Sequence, residues 1–337
     1  MIHLCHSESA PLVVEETDTK RVITLKRGIL KEWSFVKNSE YFPGPQPISL
    51  ENKDTHKLLK FPYVVCEKTD GMRYLMYFTT IDGKHQGFLV DRSFRFYKIE
   101  VDMARTVYRS SILDGELVQE SKGDHSWTFY MHDCIALDGV NCARKTFPER
   151  YGFMEKAMER FSRNESNTFS LATKTFWNFR ESFADVIDYY NNFEHTHEVD
   201  GLVFTPLKLG VGTGTQMSLF KWKKTHTIDF SVKRRNGVAN KKFYDLFISD
   251  RGRLQKHLTL NERTKGGKLF HDKFCSLVPD YEHPVIVECE YDRNINVYTP
   301  ITVRNDKNMP NSVRTVEKTY LNINENITLH SLLELGV

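Results

Sequence analysis

Cysteine is scarce in this chain of 337 residues, and none of the six, at positions 5, 66, 134, 142, 275 and 289, stands in a Cys-x-x-Cys pair. That spacing argues against a disulfide framework or a zinc knuckle, so the thiols are expected to be reduced and mostly buried. No apolar run nears the ~18 residues that a membrane helix requires. The N-terminal stretch also lacks the basic-then-apolar layout of a signal peptide. A soluble, intracellular protein with no membrane partner is the expectation. Net charge is small, +3 from 47 basic and 44 acidic residues, too little for a protein that coats nucleic acid through bulk charge. Neither an internal repeat nor a low-complexity segment occurs. What remains is an ordinary globular composition, 40% hydrophobic and 27% charged, in a chain longer than the ~250 to 300 residues at which single cores stop growing. Two domains are expected.

The most informative stretch is Lys68-Thr69-Asp70-Gly71-Met72-Arg73. An amine attacks phosphorus only in its neutral form, and an ordinary lysine, titrating near ~10.4, is almost wholly charged at neutral pH. Partial burial and neighbouring cations both disfavour the ammonium. The apolar run 63–66 reads as a buried strand that delivers Lys68 to a strand end. Gly71 would let backbone approach a ligand, and Arg73 would offer a fixed positive fork to phosphate or ribose. Taken alone, the six residues fit equally a surface lysine beside a Thr-Asp-Gly turn.

Further along come Asp114-Gly115-Glu116, Phe129-Tyr130-Met131-His132-Asp133, Val199-Asp200-Gly201-Leu202-Val203, Phe220-Lys221-Trp222-Lys223 and Arg304-Asn305-Asp306-Lys307. This ordered set resembles the covalent nucleotidyltransferases, the superfamily of ATP-dependent polynucleotide ligases and GTP-dependent mRNA capping enzymes. Within it the chain is most similar to mRNA guanylyltransferases, especially the small capping enzymes of the Chlorella virus type. Four features favour capping over ligation: the 43–50 segment Pro-Gly-Pro-Gln-Pro-Ile-Ser-Leu, Asp rather than Glu at 200, the 225–230 segment Thr-His-Thr-Ile-Asp-Phe, and the 317–323 tail. The likeness runs from about Phe42 onward. A polynucleotide ligase and a noncatalytic OB-containing RNA-binding module stay open as alternatives.

Strand-like segments recur at 74–78, 87–91, 126–131 and 201–205. A helix is expected after Pro148, where Met154, Ala157, Met158 and Phe161 recur at helical spacing and Thr146 with Glu149 gives a start signal. The expected fold class is therefore α+β, with a first domain of antiparallel sheets and helices. From Thr227 alternating apolar residues and short turns suggest an all-β module of five or so strands, by resemblance an OB-fold. Leu329, Leu332 and Leu333 mark a terminal helix. The expected division is 1–226 for a nucleotidyltransferase domain, 227–317 for the OB-fold domain, and 318–337 for a helical segment packed back on the first. The 210–214 Gly-Val-Gly-Thr-Gly stretch reads as a hairpin turn, and His195-Thr196-His197 as a solvated loop pair rather than metal ligands. Lys233, Arg234, Arg235, Lys241 and Lys242 fit either a zone for phosphates or basic strand edges.

The resemblance implies roles at named positions. Lys68 would carry GMP through a phosphoramidate bond. Lys221 and Lys223, two apart on one strand face, would meet the α-phosphate. Asp200 and Glu116 would hold Mg²⁺ or Mn²⁺, while Glu116, Arg73 and Arg92 would lie at the ribose and nearby phosphate. Val203 and His132 would flank the guanine beside Asp133, with Lys174 at the guanine O6. Relatives carry an aromatic where this chain has His132; that imidazole either stacks on the base or is a core histidine bonded to backbone. Arg304, Asp306 and Lys307 would orient the β and γ phosphates. The implied substrates are GTP and a 5′-diphosphate RNA, with the RNA triphosphatase and cap methyltransferase on separate chains. The implied compartment is the nucleus or a viral cytoplasmic factory.

Overall fold

The computed structural model describes residues 1–4, 10–33, 41–122, 126–238, 241–293, 295–305 and 307–336. Cys5 and Asp306, the latter expected at the phosphates, lie outside the described residues. The apolar run at 74–78 is part of a strand, Met72–Ile81, in which successive side chains enter different cores. Tyr74, Met76 and Phe78 pack in one cluster with Met154 and Ala157. Leu75, Tyr77 and Ile81 pack in another with Leu25 and Ile29. A strand covered on both faces needs no polar alternation, which is why this stretch reads as continuously apolar.

Met72–Ile81 pairs antiparallel with Ser111–Gln119, which pairs antiparallel with Trp127–Leu137. These form the middle of a nine-stranded sheet. The helix Phe147–Glu159 covers one face and begins as expected, with the Thr146 backbone N–H donating to Glu149 Oε2 at 2.8 Å. A helix in the first forty residues, Thr19–Glu32, covers the other; Asp18 caps it by accepting from the Arg21 N–H at 2.9 Å.

A five-stranded sheet runs in the order Trp177–Asn178, Tyr63–Thr69, Val199–Pro206, Thr215–Lys223, Gln46–Ser49. The proline-rich segment that favoured capping thus supplies an edge strand, with Ser49 opposite Lys221. Opposed residues share a face. Leu202 opposite Glu67 and Phe204 opposite Val65 turn toward the helix Phe179–Asn192, where the Phe179 and Phe204 rings are 5.5 Å apart. Gly201, opposite Lys68, and Val203 lie on the other face.

The chain divides into two compact units, Met1–Trp222 with Leu329–Val337, and Lys223–Thr328. The second holds five antiparallel strands in the order Arg253–Asn261, Lys242–Asp250, Thr227–Asn236, Val285–Asp292, Val297–Val303. A helix, Lys265–Leu277, joins the third strand in sequence to the fourth, an OB-type arrangement. The expectation of an all-β module is corrected here. Gly266 and Gly267 in the first turn weaken the helical signal, but Phe270 and Phe274, one turn apart, both pack on Tyr244, at 5.2 and 5.1 Å between rings. The expected 318–337 segment is also divided. Val313–Glu325 belongs to the second unit, where Val316 enters the core. Asn326, with φ of 50°, ends that helix, and Leu329–Gly336 belongs to the first unit. Of the basic group, Arg235 pairs with Asp245 at 2.9 Å and Arg234 lies over the Tyr281 ring. No helix among the described residues is long and apolar enough to cross a membrane.

Candidate active site

Lys68 is the penultimate residue of Tyr63–Thr69, and its Nζ donates to Asp200 Oδ1 at 2.6 Å. Local backbone geometry makes that contact possible. Lys68 pairs with Gly201 and Thr69 with Val199, so Asp200 is the extra residue of a bulge. Bulges re-aim side chains. The two side chains keep 18% and 28% of their exposure, so solvent and ligands can reach them. Gly71 serves a purpose other than approach to a ligand: a Cβ there would come within 2.8 Å of the Leu117 carbonyl oxygen. Its missing side chain lets the turn after Lys68 press against the strand that carries Glu116.

Asp114, fully buried, accepts from Arg73 Nε at 2.9 Å and from Nη2 at 2.6 Å. Arg73 Nη1 donates to the Pro45 carbonyl, and the guanidinium lies over the Phe42 ring. Three of its five N–H groups are thus engaged by the protein, which leaves the fork buried and anchored. His132 Nε2 stands 3.3 Å from Asp114 Oδ1, with the side chain 25% exposed. The register steps from Asp114 opposite Asp133 to Gly115 opposite Met131, which makes His132 another bulge residue.

Two expected site residues are engaged within the protein. Lys174 Nζ donates to Thr69 Oγ1 at 2.8 Å, to Glu116 Oε2 at 3.1 Å and to the Glu67 carbonyl at 3.3 Å. An ammonium has three donors, so none is left for a guanine oxygen; a buried cation has to be paired, and Glu116 pairs it. Asp133 accepts from Arg150 Nε at 2.7 Å and Nη2 at 3.0 Å, and from the Cys134 N–H at 2.8 Å. Through Arg150 it holds the helix Phe147–Glu159 to the sheet.

Thr69 Oγ1 also donates to Glu116 Oε2, so both named partners of Glu116 use one oxygen. Arg92 is exposed, within the fields of Arg73, Glu116 and Asp114. Val203 is half-buried on the Lys68 face of its sheet. Lys221 and Lys223 end Thr215–Lys223, both half-buried around buried Trp222. In the second unit, Arg304 Nη1 lies 3.4 Å from Asp229 Oδ1 and 3.3 Å from Glu288 Oε2, and Lys307 Nζ pairs with Asp229 Oδ2. Both cations are held by carboxylates of their own unit.

A family model described as the catalytic domain of mRNA capping enzymes matches residues 9–225, and one for the C-terminal domain matches residues 204–333. The chain belongs to the mRNA capping enzyme family. The mRNA-capping enzyme subunit alpha of Schizosaccharomyces pombe is 27% identical over 352 residues, covering 97% of this chain and 86% of that protein. Its counterpart in Saccharomyces cerevisiae is 26% identical, covering 92% and 82%. A mycobacterial DNA ligase D solved with ATP and MES superposes with a TM-score of 0.44 at 15% identity, covering 79% of this chain and 95% of that one.

In this capping-enzyme site, burial pushes the Glu116 carboxyl up. The Lys174 charge, then His132 and the Thr69 hydrogen bond, override it and hold the group at about 2, against an ordinary 4.5. Asp114 is likewise held well below the carboxylate range, burial being outweighed by the Arg73 charge. A depressed folded-state pKa gives stability that is present above the unfolded value and lost as pH falls through the folded one. Wild-type protein should therefore lose stability from about pH 4.5 down to about 2. Glu116→Gln should show a shallower loss across that window in urea midpoints measured at stepped pH. Equal slopes would contradict the assignment.

Four contributors went unassigned in the sequence, Thr69, Asp114, Arg150 and Glu67, and a fifth, His197, was expected in a solvated loop. His195 and His197 are not a solvated pair, since their side chains are 14% and 6% exposed beside buried Glu67. The acidic residue immediately before Lys68 and a histidine three before Asp200 were the available signals.

Proposed function

We propose that the chain is an mRNA guanylyltransferase that transfers GMP from GTP, through a lysyl-N-GMP adduct on Lys68, to the 5′-diphosphate end of RNA. The contact between Lys68 Nζ and the Asp200 carboxylate at a strand end, inside a family-typical frame, is the observation that carries the reading. Lys68 Nζ, deprotonated, attacks the α-phosphorus of GTP; the N–P bond forms as the bond to the bridging oxygen breaks, pyrophosphate leaves, and the nitrogen gives one proton to solvent. A terminal phosphate oxygen of the RNA then attacks the same phosphorus, the N–P bond breaks, and the amine takes up a proton. Two displacements replace one difficult encounter.

An amine held against a carboxylate is not yet a nucleophile, so the Lys68–Asp200 pair has to part before attack. Asp200 and Glu116 fit a hard divalent cation, since both are carboxylates and such cations prefer oxygen ligands. Mg²⁺ typically binds through one or two carboxylates together with phosphate oxygens and water. Bound there, Mg²⁺ or Mn²⁺ would neutralise charge developing on the phosphates. Lys221 and Lys223 take the α-phosphate oxygens; Arg92 and the remaining donors of Arg73 take the ribose side. Catalysis of this kind rests on positioning and fixed charge.

The RNA triphosphatase and cap methyltransferase are separate chains in this reading. The relatives named subunit alpha support the presence of a partner. GTP with labelled α-phosphate should yield a labelled protein on a denaturing gel with Mg²⁺ or Mn²⁺, and the label should move to 5′-diphosphate RNA. Labelling by ATP instead would make the chain a ligase.

His132 and Val203 flank the base, with the Asp114 contact fixing the imidazole plane. His132→Ala should raise the GTP concentration for half-maximal labelling by about tenfold or more, the size of one base-stacking contact. His132→Phe should leave it near wild type. Identical labelling curves for both would remove His132 from the base.

A further inference from the structure

On the opposite face of the Lys68 strand from the amine lies a cluster of ionisable groups that the chemistry above leaves unused. Glu67 Oε1 is 2.9 Å from His197 Nε2. Its Oε2 accepts from the Tyr189 hydroxyl at 3.3 Å and stands 3.4 Å from His195 Nδ1. The other nitrogen of His197 faces a second carboxylate, with Nδ1 3.7 Å from Glu120 Oε2. Glu120 Oε1 accepts from the Tyr130 hydroxyl at 2.9 Å, and the Tyr130 ring lies 4.8 Å from the His197 ring. Glu67, His197 and Glu120 are all buried. Burial pushes the Glu67 carboxyl up, and the His197 hydrogen bond and charge override this and hold it below its ordinary value.

The places of these residues in the chain are what matter. Glu67 immediately precedes Lys68, His197 comes three residues before Asp200, and Glu120 four after Glu116. Backbone bonds reinforce the join: the Asp70 N–H donates to the Glu198 carbonyl at 2.8 Å, and the Ser121 N–H to the Thr196 carbonyl. One imidazole thus bridges the strand of the nucleophile and the strand of Glu116, from the segment that leads into Asp200. A buried ionic cluster is a poor source of stability compared with apolar packing of the same volume, so the fold alone gives little reason for one here.

We infer that Glu67, His197 and Glu120 are positioning residues that fix Lys68, Asp200 and Glu116 relative to one another for nucleotidyl transfer, an inference that rests on the guanylyltransferase reading. None of the three touches the reacting atoms. Displacing a reacting group by a fraction of an ångström lowers the rate of the chemical step while leaving nucleotide binding nearly intact.

The test compares Glu67→Gln and His197→Asn with wild type in the full chain, by single-turnover adduct formation and by acylation of Lys68 with a water-soluble acetylating reagent, read by peptide mass spectrometry. Leu25→Ala, in a core of the nine-stranded sheet, is the comparator for lost stability. Both site variants should form adduct about tenfold more slowly at saturating GTP, with the half-saturating concentration within about twofold. Lys68 should be acylated faster as its pairing loosens. Leu25→Ala should keep the wild-type rate below its melting transition. If His197→Asn does not fold, Glu120→Gln carries the same expectation. Wild-type rates and acylation in the site variants, or a slowing that merely tracks melting temperature as in Leu25→Ala, would overturn the inference. Absence of adduct from wild type would reject guanylyl transfer instead, and Lys68 acylation would still decide the positioning claim.

Discussion

Lys68→Met and Lys68→Arg are each expected to leave no detectable covalent guanylate, since removing the nucleophile of a covalent mechanism lowers the rate by on the order of a millionfold. Methionine keeps the length and loses the amine. Arginine keeps the charge, but its guanidinium stays protonated at any working pH and offers no lone pair to phosphorus. Neither change should unfold the protein. Asp200 loses the Lys68 contact in the methionine variant, yet its side chain is 28% exposed and water can take the place of the ammonium, so melting temperatures should stay within a few degrees of wild type. A labelled gel and a thermal melt on the same preparations separate the two effects. Adduct in either variant would move the nucleophile elsewhere.

Arg150→Ala is expected to do the opposite, damaging the fold while touching no substrate. Arg150 is 2% exposed, paired twice with Asp133, and its Nη1 donates to the Lys145 and Leu209 carbonyls at 2.7 and 2.9 Å. Truncation leaves the buried carboxylate with no cation and only the Cys134 N–H, and takes the donor from two carbonyls, a loss of about 3 to 5 kcal/mol. In a unit of this size that lowers the melting temperature by about 6 to 20 °C. The double variant Arg150→Met with Asp133→Leu should recover much of it, because an apolar pair of similar volume removes the stranded charge. Calorimetry decides. An unchanged melt for Arg150→Ala would show that the pair does not anchor the helix.

Local signals were legible in the sequence. The strand at 63–69, the capping box at Thr146 and Glu149, and the Leu329 helix follow from periodicity and cap chemistry over a few residues. Family motifs placed Lys68, Glu116 and Asp200, and the structure joins Lys68 directly to Asp200. Contacts between distant positions were not legible. Lys174 has the residue type of a base contact, and only its three partners reveal that its donors are used internally. The same holds for Asp133, whose Arg150 lies across a helix boundary, and for His197, which looks like loop until Glu67 is brought against it. The helix Lys265–Leu277 was hidden by its paired glycines. The helix Thr19–Glu32 lay where the resemblance faded, although Asp18 and its apolar spacing were in plain view.

The central claim is that the side chain of residue 68 becomes bonded to the α-phosphorus of GTP. Peptide mass spectrometry of wild-type protein incubated with GTP and Mg²⁺ or Mn²⁺ tests it most directly. The account predicts one guanylate per chain, on the peptide containing Lys68, stable in base, released by acid, and discharged when 5′-diphosphate RNA is added. A guanylate found on another residue, or folded protein that stays unmodified with both metals, would contradict it.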